Sequence, residues 1–148
     1  MTEATAYRHR LALVREEAAP PHGASVRGPA DVAGIAGEIL DGEAVEVVLA
    51  FFFDQQHRVR GWIELARGGL ASAQVDLRPM FAAALLAGAT ALVVVHNHPS
   101  GSSIPSADDR ALSRRLADAG RLLGVALLDH LVIGEGGAWC SAHERGTM

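Results

Sequence analysis

Residues 96–109 carry the most chemically suggestive pattern in the chain: His-Asn-His-Pro-Ser-Gly, then Pro105, Ser106 and Asp109. His96 and His98 are two apart at the end of an apolar run, Leu92 to Val95. If that run is a strand, period-two alternation puts both imidazoles on one face. Two imidazoles converging on a point make a chelate for a borderline metal such as zinc, at bonds of about 2.0–2.1 Å. Asn97, between them, points the other way and is free to hydrogen-bond the loop. Asp109 follows 11 residues after His98, inside the first turn of a predicted helix. A strand end meeting a helix start can bring that carboxylate back onto the same metal. Three such ligands leave a fourth position open for water, the pattern of a catalytic site. A plainer reading coexists with this one. Ser106-Ala107-Asp108-Asp109 is also a capping box, with Ser106 as N-cap, and Asp108 is a local rival for the ligand role.

The elements that must position these residues are legible from periodicity. Val32, Ile35, Ile39 and Leu40 have helical spacing after Pro29, which suits a helix start. Val45 to Phe53 is a dense β-branched and aromatic run, predicting a strand buried on both faces. Val59 to Ala66 makes a second strand, joined to the first by a hairpin turn through Asp54–His57. A short third strand is expected near Ala71–Val75, then a helix from about Arg78 to Ala87 with Gly88 as its C-terminal cap. The buried strand Leu92–Val95 follows and stops at the Pro99–Gly101 turn. Ser106 to Leu123 reads as an amphipathic helix, with Leu112, Leu116 and Leu123 inward and Arg110, Arg114, Arg115 and Arg121 outward. Val125–Leu128, Leu131–Ile133 and Trp139–Ser141 supply the last strands. The sum is an α/β (α+β) domain, a mixed and largely antiparallel sheet flanked by helices. Residues 1–28 are expected to be an arm and linker, and 29–148 the domain.

Composition narrows the functional classes. The chain has 148 residues, of which 49% are hydrophobic and 20% charged, enough for one sizeable core. The net charge of −4 argues against a protein built mainly to grip phosphates. All 13 basic residues are arginine, which matches an alanine-rich composition and carries no function of its own. A single cysteine, Cys140, excludes an internal disulfide framework and a four-thiolate zinc site, and its place beside Trp139 suggests core. The uncharged stretch Pro79–Val95 is short for a membrane span and is read as a helix followed by a strand. A soluble, cytoplasmic protein is expected, with no membrane partner. His9, His22, His57 and His143 lack ligand spacing and are expected at the surface.

Taken together, His96-Asn97-His98-Pro99-Ser100-Gly101, Pro105-Ser106 and Asp109 resemble the JAB/MPN metallohydrolase signature in its RadC-type form. That pattern is an upstream Glu, a His-x-His, and Ser and Asp at 8 and 11 residues beyond the second His; Ser106 and Asp109 occupy those offsets. Asp129-His130-Leu131-Val132-Ile133-Gly134 and the terminal Ser141, Glu144 and Gly146 resemble further family stretches, so the likeness covers about Pro29 to Gly146. Contiguous His-Asn-His does not point to the HNH nucleases, whose letters name residues spread over a motif.

The resemblance implies a JAB/MPN (cytidine-deaminase-like) architecture and one zinc ion held by His96, His98 and Asp109. It places the catalytic Glu on the first long strand, where Glu46 leads the run Val47–Asp54; Glu43 and Glu64 are weaker competitors. A carboxylate at the edge of so apolar a run also needs a cation or donors beside it. Zinc would lower the pKa of its water to about 7. Glu46 would take the water proton and return it to the leaving amine, and the Ser106 hydroxyl would stabilise the oxyanion. Asn97, Asp129 and His130 are expected to support the ligands from behind. Arg78 matches an arginine of the family, but Leu77 and Pro79 replace its neighbours.

The implied substrate is a peptide or protein, including an isopeptide link to a ubiquitin-like protein. A DNA-repair role, as nuclease or accessory, and a non-catalytic binding module are the alternatives. Only about 28 residues and one short helix precede the domain, without a Gly-hydrophobic-Gly hairpin. With the acidic balance, this leads us to expect no autonomous DNA binding.

Overall fold

The computed structural model describes residues 6, 8–14, 16, 23–69 and 71–148. Much of the expected arm, with Arg15, Pro20, Pro21 and His22, therefore lies outside the described residues. A five-stranded sheet has helices on both faces. The elements run α1 (Pro29–Leu40), β1 (Val47–Phe53), β2 (Val59–Arg67), α2 (Arg78–Leu86), β3 (Ala91–Asn97), α3 (Ala107–Leu123), β4 (Ala126–Ile133) and β5 (Trp139–Ser141). Strand order is β2-β1-β3-β4-β5; only the β3–β4 pair is parallel. The mixed, largely antiparallel sheet flanked by helices is as the periodicity predicts.

Strand β1 is buried along its whole length because each face has its own cover. Val47, Leu49, Phe51 and Phe53 pack with Val32, Ala36 and Leu40 of α1. Val48, Ala50 and Phe52 pack instead with Met80 and Phe81 of α2 and Leu112 and Leu116 of α3. The β1–β2 hairpin forms where expected. The Asp54 carboxylate accepts from the amides of Gln56 and Arg58, while His57 takes a left-handed φ of 56° at the exposed tip. Just before α1, Ser25 bridges Arg58, and Gly23 and Val26 donate to Val59 and His57 of the hairpin.

Four local expectations are corrected. Ser72–Gln74 is a 3-10 turn and not a strand. The carbonyls of Ser72 and Val75 are taken by the Arg115 guanidinium and the Ala71 amide by the Gln74 side chain, so no ladder is left to form. Arg115 is thereby drawn inward and is not on the outer face. Leu123, expected inward, is 42% exposed at the end of α3. Finally, β4 is one continuous strand whose register slips between Leu92 and Val93 of β3, so Asp129 and His130 lie within it and not in a gap. Among the described residues no helix is long and apolar enough to cross a membrane.

Candidate metal centre

The alternation that covers β1 also aims the site. In β3, Leu92 and Val94 face α2 and α3, so His96 continues that face. His96 is 1% exposed and pairs with Val48 of β1. His98 lies one residue past β3, but its amide still bonds the Ile133 carbonyl of β4, which prolongs the strand geometry. The chain then turns at Gly101, whose φ of 91° suits glycine. Opposite, α3 begins at Ser106. The Ser106 hydroxyl accepts from the Asp109 amide at 3.1 Å, and the Asp109 carboxylate accepts from the Ser106 amide at 2.7 Å. That capping box turns the carboxylate back towards β3.

Three donor side chains meet here. His96 Nε2 and His98 Nε2 are 2.9 Å apart; Asp109 Oδ1 is 3.2 Å from the first and Oδ2 3.1 Å from the second. His98 Nδ1 lies 2.9 Å from the Ser102 carbonyl, which only accepts, so that nitrogen carries the proton. With only that one ring proton, the His98 Nε2 would present a bare lone pair to two other Lewis bases. Such a set is stable only around a positive centre, a shared proton or a cation. Ligands at about 2.0–2.1 Å around a tetrahedral zinc lie roughly 3.3 Å apart. The observed separations fall a few tenths of an ångström short of that, within side-chain adjustment. The His-His-Asp cluster is compatible with a metal site.

Electrostatics agree with an ionised Asp109. Burial pushes its carboxyl up, but the hydrogen bond and positive charge of a proton shared with His96, standing where a bound cation would be, outweigh it together with the Ser106 contacts and hold it well below the usual carboxylate range. His130 of β4 sits directly behind, its Nε2 2.8 Å from His96 Nδ1. Burial, reinforced by the nearby charge of His96, pushes the His130 imidazole down to about 3.

A cavity of about 100 Å³ adjoins Asp109, and Glu46 and Ser106 are in its wall. Glu46 is two residues before Val48 and shares its face. The rival carboxylates Glu43 and Glu64 both pair with Arg67, at 2.8 and 2.6 Å. Asp108 also borders the cavity but is exposed and outside the ligand cluster. Asn97 does not bond the Pro99–Gly101 turn. Its side chain accepts from the Val47 amide at 2.8 Å and donates to the Val45 carbonyl at 2.9 Å, bracketing Glu46. Asp129 faces away from the cluster and gathers the His130 and His143 amides and the Ser141 hydroxyl, anchoring the C-terminal segment.

Other predicted residues fall outside this group. Arg78 is an exposed partner of Asp76; Cys140 is buried and free; His9, His57 and His143 are exposed. Sequence reasoning missed Ser113, buried on α3 and 2.6 Å from His130 Nδ1. Its only sequence signal is its place one helical turn after Asp109.

Residues 26–147 match the RadC-like JAB domain family. The chain is 41% identical over 126 residues to a UPF0758 protein of Halorhodospira halophila, covering 85% of this chain and 56% of that one. It is 37% identical over 143 residues to a UPF0758 protein of Xanthomonas oryzae pv. oryzae, covering 97% and 60%. A UPF0758 protein of Chloroflexus aggregans is 40% identical over 124 residues, covering 82% and 52%. The chain thus spans a little over half the length of these relatives. The sheet, its flanking helices and the His-His-Asp cluster agree with the JAB/MPN fold, and the chain belongs to the RadC-like JAB domain family.

Proposed function

We propose that this protein is a zinc-dependent hydrolase of amide bonds, acting on a peptide or isopeptide link in a protein substrate. The observation that carries this reading is the convergence of three metal-type side chains, the two Nε2 atoms 2.9 Å apart and an Asp109 oxygen 3.1–3.2 Å from each, beside a cavity walled by Glu46 and Ser106. His96, His98 and Asp109 would hold one ion per chain. Zinc bound there would supply the Lewis acidity that makes a water nucleophilic near neutral pH. Glu46 handles the protons: its carboxylate takes one from the attacking water and delivers it to the leaving nitrogen. Ser106 spends a lone pair on capping α3, which leaves its O–H free to donate to the oxyanion of the attacked carbonyl. A ubiquitin-like conjugate is one substrate with the required bond.

The arginines of α3 offer the DNA-directed alternative a basic row, from which Arg115 is drawn inward while Arg110, Arg114 and Arg121 stay exposed. Arg115 is bonded to the Ser72 and Val75 carbonyls, Arg110 to the Pro105 carbonyl and Arg121 to Asp118. The test sets zinc-loaded wild type against Glu46→Gln on peptide, isopeptide and DNA substrates in parallel. Both proteins should carry one zinc, and only wild type should cleave an amide. Undiminished turnover by Glu46→Gln overturns the assignment. Zinc- and Glu46-dependent cleavage of DNA alone would replace the amide bond with a phosphodiester.

A further inference from the structure

Behind the ligand cluster runs a buried chain of hydrogen bonds with a definite direction. His96 Nδ1 is 2.8 Å from His130 Nε2, His130 Nδ1 is 2.6 Å from Ser113 Oγ, and Ser113 Oγ is 3.1 Å from the backbone carbonyl of Asp109. All three side chains are buried, so water does not substitute for any link. The chain begins on one candidate ligand and ends on the backbone of another, crossing β3, β4 and α3.

We propose that Ser113 and His130 are positioning residues that fix the tautomer of His96, so that its Nε2 offers a lone pair to the metal. A carbonyl only accepts, so the single hydroxyl proton of Ser113 goes to Asp109. The Ser113 oxygen must then accept from His130, which places the proton of neutral His130 on Nδ1. His130 Nε2 is left as an acceptor and draws the His96 proton onto Nδ1. Every donor and acceptor in the chain is used, and His96 Nε2 is bare. In the opposite direction the Ser113–Asp109 contact holds no proton, and His96 Nε2 carries one into the cluster, where it blocks coordination. On the other ligand, the Ser102 carbonyl does the same for His98. Both imidazoles are thus preset as Nε2 ligands.

This inference rests on the metal reading above but not on the amide chemistry, and zinc itself is the probe. In zinc-loaded wild type with ¹⁵N-labelled histidine, long-range ¹H–¹⁵N spectra should show His130 protonated at Nδ1 and bare at Nε2. Chelator competition should show zinc binding weakened about 10–100-fold by His130→Phe. His130→Gln, whose side-chain oxygen reaches the place of Nε2, should recover part of that loss; a merely space-filling role predicts no such recovery. Ser113→Ala, a smaller disturbance on the helix, should weaken zinc in the same direction and disperse the His130 tautomers. A His130 proton at Nε2 in wild type, or Ser113→Ala and His130→Phe proteins that bind zinc as wild type does, would overturn the relay. Should His130→Phe not fold, the wild-type spectra and Ser113→Ala still decide. A wild type that binds no zinc overturns the metal reading and the relay with it. One that binds zinc and cleaves no amide leaves the relay standing.

Discussion

Ser106 and Asp109 cap α3 and also border the candidate site, and for Ser106 the capping role and the proposed catalytic one can be separated. Ser106 caps α3 through a lone pair and also lines the cavity. Replacing it by alanine removes both roles, with a stability cost of about 1 kcal/mol; glycine at an N-cap costs only a few tenths. If the hydroxyl stabilises an oxyanion, Ser106→Ala and Ser106→Gly should lose the same roughly 10²–10³-fold in kcat despite unequal melting temperatures. Steady-state kinetics beside thermal melts checks this, and turnover that tracks stability would assign Ser106 to the helix alone. The convergence of His96, His98 and Asp109 was only partly legible in spacing: i to i+2 on a strand brings two imidazoles to one face, but the choice of Asp109 over Asp108 came from the family resemblance. Ser113 and the Ser102 carbonyl were not legible. A serine inside a helix and a backbone oxygen leave no pattern in a sequence, and only the packing of α3 against β4 gives Ser113 a partner.

Asn97 shows how an element is held by a side chain from its neighbour. Its amide grips the Val45 carbonyl and the Val47 amide and thereby fixes the backbone on both sides of Glu46 as the chain enters β1. Asn97→Ala strands those groups at a cost of about 1–3 kcal/mol and frees Glu46 to wander. The expected outcome is a lower melting temperature and a lower kcat with one zinc still bound, read by melts, kinetics and metal analysis. Loss of zinc in parallel with activity would place Asn97 with the ligands instead. The strands and helices with strong periodicity, β1, β3 and α3, appear where the sequence puts them. The misread elements are those decided by distant partners. Residues 71–75, expected as a strand, hold a single β-branched residue, Val75, and Arg115, 40 or more positions away, takes the carbonyls that a strand would have paired. The slip in register that keeps β4 whole through Asp129 likewise depends on β3 beside it.

For the whole molecule, the same buried cluster sets the response to acid. The mixed sheet with two covered faces was readable from apolar runs, but the parallel seating of β4 beside β3 was not, because it is made by α3 crossing over the sheet and not by any local signal. That seating buries His130 behind His96, where burial pushes its imidazole from an ordinary 6.5 down to about 3. Folded His130 is therefore neutral, while in the unfolded chain it takes up a proton below pH 6.5. Between those values the unfolded state binds more protons, so stability is full above pH 6.5 and falls as pH drops towards 3, by at most about 1.4 kcal/mol per pH unit from this residue. Asp109 acts in the same direction at lower pH: its carboxyl is held below the ordinary 3.8, so its contribution is present above that value and is lost as pH falls beneath it. Urea titrations in chelator from pH 7.5 to 4.5 should show stability declining from near pH 6.5, well before carboxylates titrate. His130→Gln, with nothing to protonate, should flatten that decline. An equal slope in the variant would show that the acid sensitivity resides elsewhere and that His130 is not held neutral by its burial.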